Sequence, residues 1–137
     1  MDFVQNTVGV DSNTVVVGHS SGAACAMRLL ETVPERPMLL GCVLVAACHT
    51  DLGDESERRS GYFNRPWSWE KMKDGAKNIV LFHGEDDPLI PVQEARYIAD
   101  KMKGGNFEYH EMKGKSHFFR PWQEILEVMD RNFGEIE

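Results

Sequence analysis

The sequence predicts an α/β fold: one domain over residues 1–137, with a parallel sheet layered against helices. Three observations carry this reading. Continuous apolar, β-branched runs at 14–19, 42–48 and 78–84 have the pattern of strands covered on both faces. Segments with helical spacing of apolar residues follow the first and third of them. Glycine and proline stand at the boundaries, where the chain must turn. Such strand–helix alternation gives parallel neighbours joined by crossovers.

Taken in order, TVVVGH (14–19) is the first strand. A helix follows from Ser21, with Ala23, Ala24, Ala26, Met27 and Leu30 at helical spacing, and Pro34 and Pro37 stop it. CVLVAAC (42–48) is a second buried strand. NIVLFHG (78–84) is a third, ended by the turn sequence GEDDP. A helix over 91–102 carries Val92, Ala95, Ala99 and Met102 on one stripe, closed by Gly104 and Gly105. FEYHEMK (107–113) alternates apolar and polar residues, as a strand near a sheet edge does. A last helix over 121–133 turns Trp122, Ile125, Leu126, Met129 and Phe133 inward.

Composition bounds the function. The formal net charge of −7 argues against nucleic acid or an anionic membrane as partner. The longest apolar stretch, CVLVAAC, is far too short to span a bilayer. MDFVQNTVGV lacks the basic flank and long apolar run of a secretory signal. Cys25, Cys42 and Cys48 are odd in number, have no metal-ligand spacing, and sit among small or apolar residues. They read as reduced core thiols, which places the protein in the cytoplasm, with nuclear entry left open.

In a parallel sheet, catalytic groups collect beyond the carboxyl ends of the strands. After the first strand stands Ser20, in Gly18-x-Ser20-x-Gly22. A strand running through GxSxG into a helix is the context of a nucleophile elbow, with the serine hydroxyl at the apex. The flanking glycines are expected to admit a close backbone approach. The N–H of Ser21, at the helix start, can bind a developing oxyanion. After the third strand, Asp87 in HGEDDP is chosen over Asp86 as the acid that orients a histidine. Asp51, after the second strand, is the alternative. His117, in the GKSHFF loop after the fourth strand, is the candidate general base. The order Ser…Asp…His, each at a strand end, matches one known triad arrangement. His110 lies within a strand pattern, His83 precedes the acid's turn, His49 sits in a loop near Asp51, and His19 neighbours the serine as a pocket candidate.

On these residues the chain resembles the α/β-hydrolases, and within them the small serine hydrolases of the retinoblastoma-binding-protein-9 type. The stretches that carry the resemblance are VVVGHSSGAACAMRLLE, GCVLVAACHTDLGDESERRSGYFNRPWSWEKMK and, more loosely, NIVLFHGEDDPLIPVQEARYIADKM and GKSHFF. It implies a three-layer α/β-hydrolase sheet, a Ser–Asp–His triad falling on Ser20, Asp87 and His117, and no metal or organic cofactor. The expected substrate is a small ester, thioester or amide.

The segment between the second and third strands is long for a plain crossover. It holds Tyr62, Phe63, Trp67 and Trp69 as substrate-pocket candidates. If RPWSW is extended, both tryptophans point to one side; if a helix runs through it, at most one faces the site.

Two departures from the resemblance bear on function. Relatives carry an earlier strand and glycine-rich loop, whereas only residues 1–13 precede TVVV here. The expected sheet is therefore truncated to about four strands, with one backbone donor of the oxyanion hole missing. Loss of one such donor costs on the order of 100- to 1000-fold in turnover. The serine strand would then be an apolar edge prone to self-association. Secondly, the place where relatives carry a Leu-x-Cys-x-Glu motif reads VGVDS (8–12), so binding of the retinoblastoma protein is not carried over. Two functions are in view: a serine hydrolase, its activity weakened by truncation, and a non-catalytic interaction protein built on the same fold.

Overall fold

The computed structural model describes residues 14–32, 39–104 and 106–113. Its elements are β1 (Val15–His19), α1 (Ser21–Thr32), β2 (Leu39–Val45), α2 (Glu55–Arg59), α3 (Trp69–Asp74), β3 (Ala76–Gly84), α4 (Val92–Met102) and β4 (Phe107–Met112). The strands form one sheet in the order β1-β2-β3-β4, and every neighbouring pair is parallel. Gly18, Leu44, Leu81 and Tyr109 share one row of the register. All four carboxyl ends therefore open on the same rim, as the strand-end reading requires.

The pleat divides β2 and β3 between two cores. Cys42, Leu44, Ile79 and Leu81 face a cluster with Met27 and Leu30 of α1, Met72 of α3, and Ile98 and Met102 of α4. Val43, Val45, Val80 and Phe82 face the opposite way, joined by Cys48 and Ile90, with Phe63 and Met112 packed against them. Burial on both sides explains why these strands appear in the sequence as unbroken apolar runs rather than alternations. Among the described residues, no helix is long and apolar enough to cross a membrane.

Several boundaries differ from the predicted ones. β2 begins at Leu39 and stops at Val45 rather than running from 42 to 48. It stops because Ala46 turns to φ 54°, with its N–H donated to Phe82 O at 2.9 Å. Ala47 and Cys48 stay buried without being strand. On α4 the buried stripe is Val92, Ala95, Ile98 and Met102, and Ala99 is only half-buried. The helix ends at Lys103, whose ψ of 139° is extended, and not through a left-handed Gly104. The long β2–β3 connection contains α2 and α3, with RPW outside the helix and Trp69 its first residue. The predicted helix over 121–133 and the loop with His117 lie outside the described residues.

That connection is tied down by a residue with no motif around it. Arg28 of α1 is 2 % exposed. Its Nε donates to Tyr62 O at 2.8 Å, Nη2 to Arg65 O at 2.6 Å, and Nη1 to Pro66 O at 3.1 Å. Nη1 also donates to both Glu31 oxygens, at 2.9 and 3.1 Å. Glu31 accepts in addition the N–H of Ser68. The guanidinium lies 3.6 Å above the Trp67 ring, a stacked cation–π contact. One planar fork thus holds three carbonyls of the loop backbone, between Tyr62 and Pro66, against α1.

Replacing Arg28 by Ala leaves the Glu31 carboxylate with only the exposed Arg65, 4.0 Å away, as its cation, and three carbonyls without donors. The expected cost is about 3–5 kcal/mol, read as a lowered midpoint in urea unfolding. Arg28→Lys should recover only part of it, because an ammonium cannot reach all the carbonyls at once.

Candidate active site

The site begins where β1 meets α1. A Cβ built on Gly18 would stand 2.4 Å from Gly22 O and 2.7 Å from its carbonyl carbon. Only glycine lets the helix start so close to the strand. Gly22 is different: a Cβ there meets nothing within 4 Å, because the position is on the exposed side of α1. Of the two glycines expected to matter, the close approach needs the absence of a side chain at Gly18.

Between them Ser20 adopts φ 59°, a left-handed conformation that costs a non-glycine residue on the order of 1–3 kcal/mol. It is braced on both sides. Its N–H donates to Val45 O at 2.9 Å, and its carbonyl accepts the Ala23 N–H at 2.9 Å. Ser21 opens α1, so its N–H is among the first amides that have no preceding helical turn to bond. The positive end of the helix dipole adds to that donor. The Ser21 hydroxyl donates to the Glu57 carboxylate of α2, and the other Glu57 oxygen is buried without a partner.

Asp87 follows β3. Its Oδ1 accepts the N–H groups of Leu89 and Ile90, both at 2.8 Å. Two backbone donors pin the carboxylate against its own loop. His83, fully buried at the end of β3, holds that loop from beneath: its Nε2 lies 2.9 Å from Ile90 O and 3.8 Å from Asp87 Oδ2. Nε2 donates to the carbonyl, and Nδ1 is buried without a partner.

A cavity of about 340 Å³ connects these parts. Ser20 lines it, with Cys48 after β2, Leu52, Asp54 and Glu57 around the start of α2, and Leu89 and Ile90 of the Asp87 loop. The nucleophile candidate and the acid candidate's turn therefore border one space. Asp54 caps α2, accepting the N–H groups of Ser56 at 2.9 Å and Glu57 at 3.1 Å. The bond from the Glu57 amide, with the Ser56 hydroxyl next, holds its carboxyl below the usual range, so Asp54 is ionised at neutral pH. Cys48 is the opposite case. Burial first, then the carboxylates of Glu94 and Glu57, push its thiol up to about 12. A neutral thiol is a poor rival to a serine in the same cavity.

The other candidates stand elsewhere. His19, the last residue of β1, is exposed. Trp67 and Trp69 pack against the α1–α3–α4 core, 6.1 Å apart, and Trp67 Nε1 donates to His49 O at 2.8 Å. Phe63 packs on the opposite core beside Cys48 and Ile90, and Tyr62 contributes the carbonyl that Arg28 binds. None of these five lines the cavity around Ser20 among the described residues. Asp51, the alternative acid, spends Oδ1 on the Gly53 N–H at 2.8 Å and faces Arg58 at 3.4 Å. His49 stacks on Tyr97 and pairs with Glu94 at 3.3 Å, while His110 stacks on Phe82 and pairs with Glu108. His117 lies outside the described residues. Leu52, Glu57 and Leu89 carry no motif; only folding brings them to Ser20.

The two glycines should part company on mutation. Gly18→Ala is expected to destabilise the fold by about 1–3 kcal/mol or more through overpacking, and to displace the Ser20 turn. Gly22→Ala should be neutral or stabilising by up to about 1 kcal/mol. Thermal unfolding of both variants checks this; equal losses would contradict the Gly18 geometry.

Comparison with known proteins agrees with this architecture. The family model described as serine hydrolase matches residues 2–131. The chain is 39 % identical over 118 residues to the protein named serine hydrolase RBBP9 of Rattus norvegicus, covering 86 % of this chain and 60 % of that one. It thus spans about 60 % of that relative's length. Among solved structures, the ydeN gene product of B. subtilis superposes with a TM-score of 0.82 at 22 % identity, over 97 % of this chain and 71 % of that one. Esterase PE8 superposes with a TM-score of 0.61 at 21 % identity, over 95 % and 53 %. Parallel four-stranded sheet, strained serine after β1, family match and 39 % identity converge: the chain belongs to the serine hydrolase family and has the α/β-hydrolase fold.

Proposed function

We propose that this protein hydrolyses small, uncharged esters, thioesters or amides through an acyl intermediate on Ser20. The observation that carries this is the Ser20 turn itself. A serine held at φ 59° in a strand-to-helix turn, at the rim of a parallel sheet and bordering a cavity, is the geometry that presents a nucleophile.

In this reading Ser20 Oγ attacks the substrate carbonyl while His117 takes its proton. The oxygen of the tetrahedral intermediate accepts the Ser21 N–H. Collapse breaks the bond to the leaving oxygen, sulfur or nitrogen, which receives the proton from His117. Water then attacks the acyl-Ser20 ester as His117 removes its proton. The carboxylic acid departs and Ser20 regains its hydrogen. Asp87 orients His117 and stabilises its charged form; its two loop N–H bonds support this role by fixing the carboxylate in advance. No metal or cofactor enters the scheme. The ionised Asp54 at the cavity disfavours substrates with an anionic acyl group, which is why the proposal specifies uncharged ones.

A fluorophosphonate probe should label the protein at Ser20, and Ser20→Ala should remain unlabelled. Asp87→Asn should lower kcat on p-nitrophenyl acetate about 10³- to 10⁴-fold. Equal labelling of the parent and Ser20→Ala would reject the reading.

A second reading rests on the edge of the sheet. Among the described residues β1 pairs with β2 alone, and Val17 is 55 % exposed. An apolar edge of this kind favours pairing with a second copy. Sedimentation velocity should then show a dimer that Val17→Lys converts to monomer. A monomeric parent at high concentration removes this reading.

A further inference from the structure

Four large apolar side chains are exposed among the described residues: Val17, Leu52, Leu89 and Tyr97. Two of the four, Leu52 at 38 % and Leu89 at 58 %, line the cavity that holds Ser20. Scattered surface leucines need no explanation, but two at the mouth of one catalytic cavity do.

Leu52 is also strained. The Asp54 N–H donates to Asp51 O at 2.9 Å, closing a four-residue turn whose central residues, Leu52 and Gly53, have φ 57° and 75°. Positive φ at both central positions is a type I′ turn, where glycine, asparagine and aspartate are the residues that fit. The turn is otherwise well made: Asp51 Oδ1 accepts the Gly53 N–H at 2.8 Å. Nothing in the packing rewards a leucine there, since its side chain is exposed and it belongs to neither core. Leu89 sits two residues from Asp87 and donates its N–H to that carboxylate, so its position is set by the acid's own hydrogen bonds. Cys48 and Ile90, both buried, continue the apolar lining inward.

We infer that Leu52 and Leu89 form an apolar clamp that selects substrates by an aliphatic acyl chain next to the scissile carbonyl. The inference rests on the hydrolase reading for its chemistry, because the chain is placed by its attachment to the carbon that Ser20 attacks. Each methylene that leaves water adds to binding in proportion to the area buried, and a clamp at a rim captures most but not all of it. The expected gain is about two- to fourfold per methylene.

The test reads binding and needs no turnover. Neutral methyl n-alkyl ketones of four to nine carbons are titrated into the Ser20→Ala protein and followed by protein-detected NMR. The dissociation constant should fall about two- to fourfold with each methylene. Leu52→Asn suits the left-handed turn and should keep the protein folded; together with Leu89→Ser it should flatten that series at least tenfold overall. Val17→Thr, at an exposed apolar position outside the cavity, should preserve the series. A flat series in the Ser20→Ala protein, or a series unmoved by Leu52→Asn and Leu89→Ser, overturns the clamp even if Ser20 labels with fluorophosphonate. A normal series in a protein whose Ser20 never labels keeps the clamp as a binding site and removes the hydrolase reading.

Discussion

The contact between Gly18 and Gly22 sets the rest of the molecule. With Gly22 O only 2.4 Å from where a Cβ would be, strand and helix approach as closely as the backbone permits. That approach leaves too little chain for a relaxed turn, so the strain falls on Ser20 at φ 59°. The turn survives because it is bonded into the sheet through Val45 O and into the helix through Ala23. The sheet rim, the helix start and the serine are therefore one rigid object. A side chain placed this way loses little freedom when a substrate arrives, and positioning of that kind is the cheapest contribution a fold can make to a reaction.

Around that object the electrostatics are uneven. α1 offers unpaired amides at its start, while α2 brings Asp54 and Glu57 to the same cavity. Glu57 is anchored by the hydroxyl of Ser21, so the carboxylate and the expected oxyanion donor belong to the same residue pair. On the proposed reading a carboxylate here counts against anionic substrates. In the structure it adds, after burial and Glu94, to the raised Cys48 thiol, which is thereby held in its unreactive form. The aromatic segment that looked like a pocket wall serves another purpose. Arg28 and Glu31 lock it onto α1, and its tryptophans complete the core.

Much of this was legible from residue order. Val-rich runs that alternate with helical spacing force a parallel sheet, and in such a sheet the carboxyl ends share one rim whatever the details. Ser20 and Asp87 were therefore placed on that rim by topology alone. Boundaries were less legible where the signal was composition without geometry. CVLVAAC is uniformly apolar, so nothing in it marks the left-handed turn at Ala46 that ends β2. Gly104 looked like a helix stop, but Lys103 had already left the helix by becoming extended.

Residue types and their spacing determined the α/β class, the strand-to-helix serine turn, the acidic turn after β3 and the family resemblance. These are local properties, set by periodicity and by which side chains a turn tolerates. The tertiary structure decided what no local pattern encodes. It sent Trp67 and Trp69 to the core and Arg28 into a buried fork, and it brought Leu52, Glu57 and Leu89 to the serine. Those outcomes depend on contacts between segments far apart in the chain, where its closure rather than its spelling determines which side chains meet.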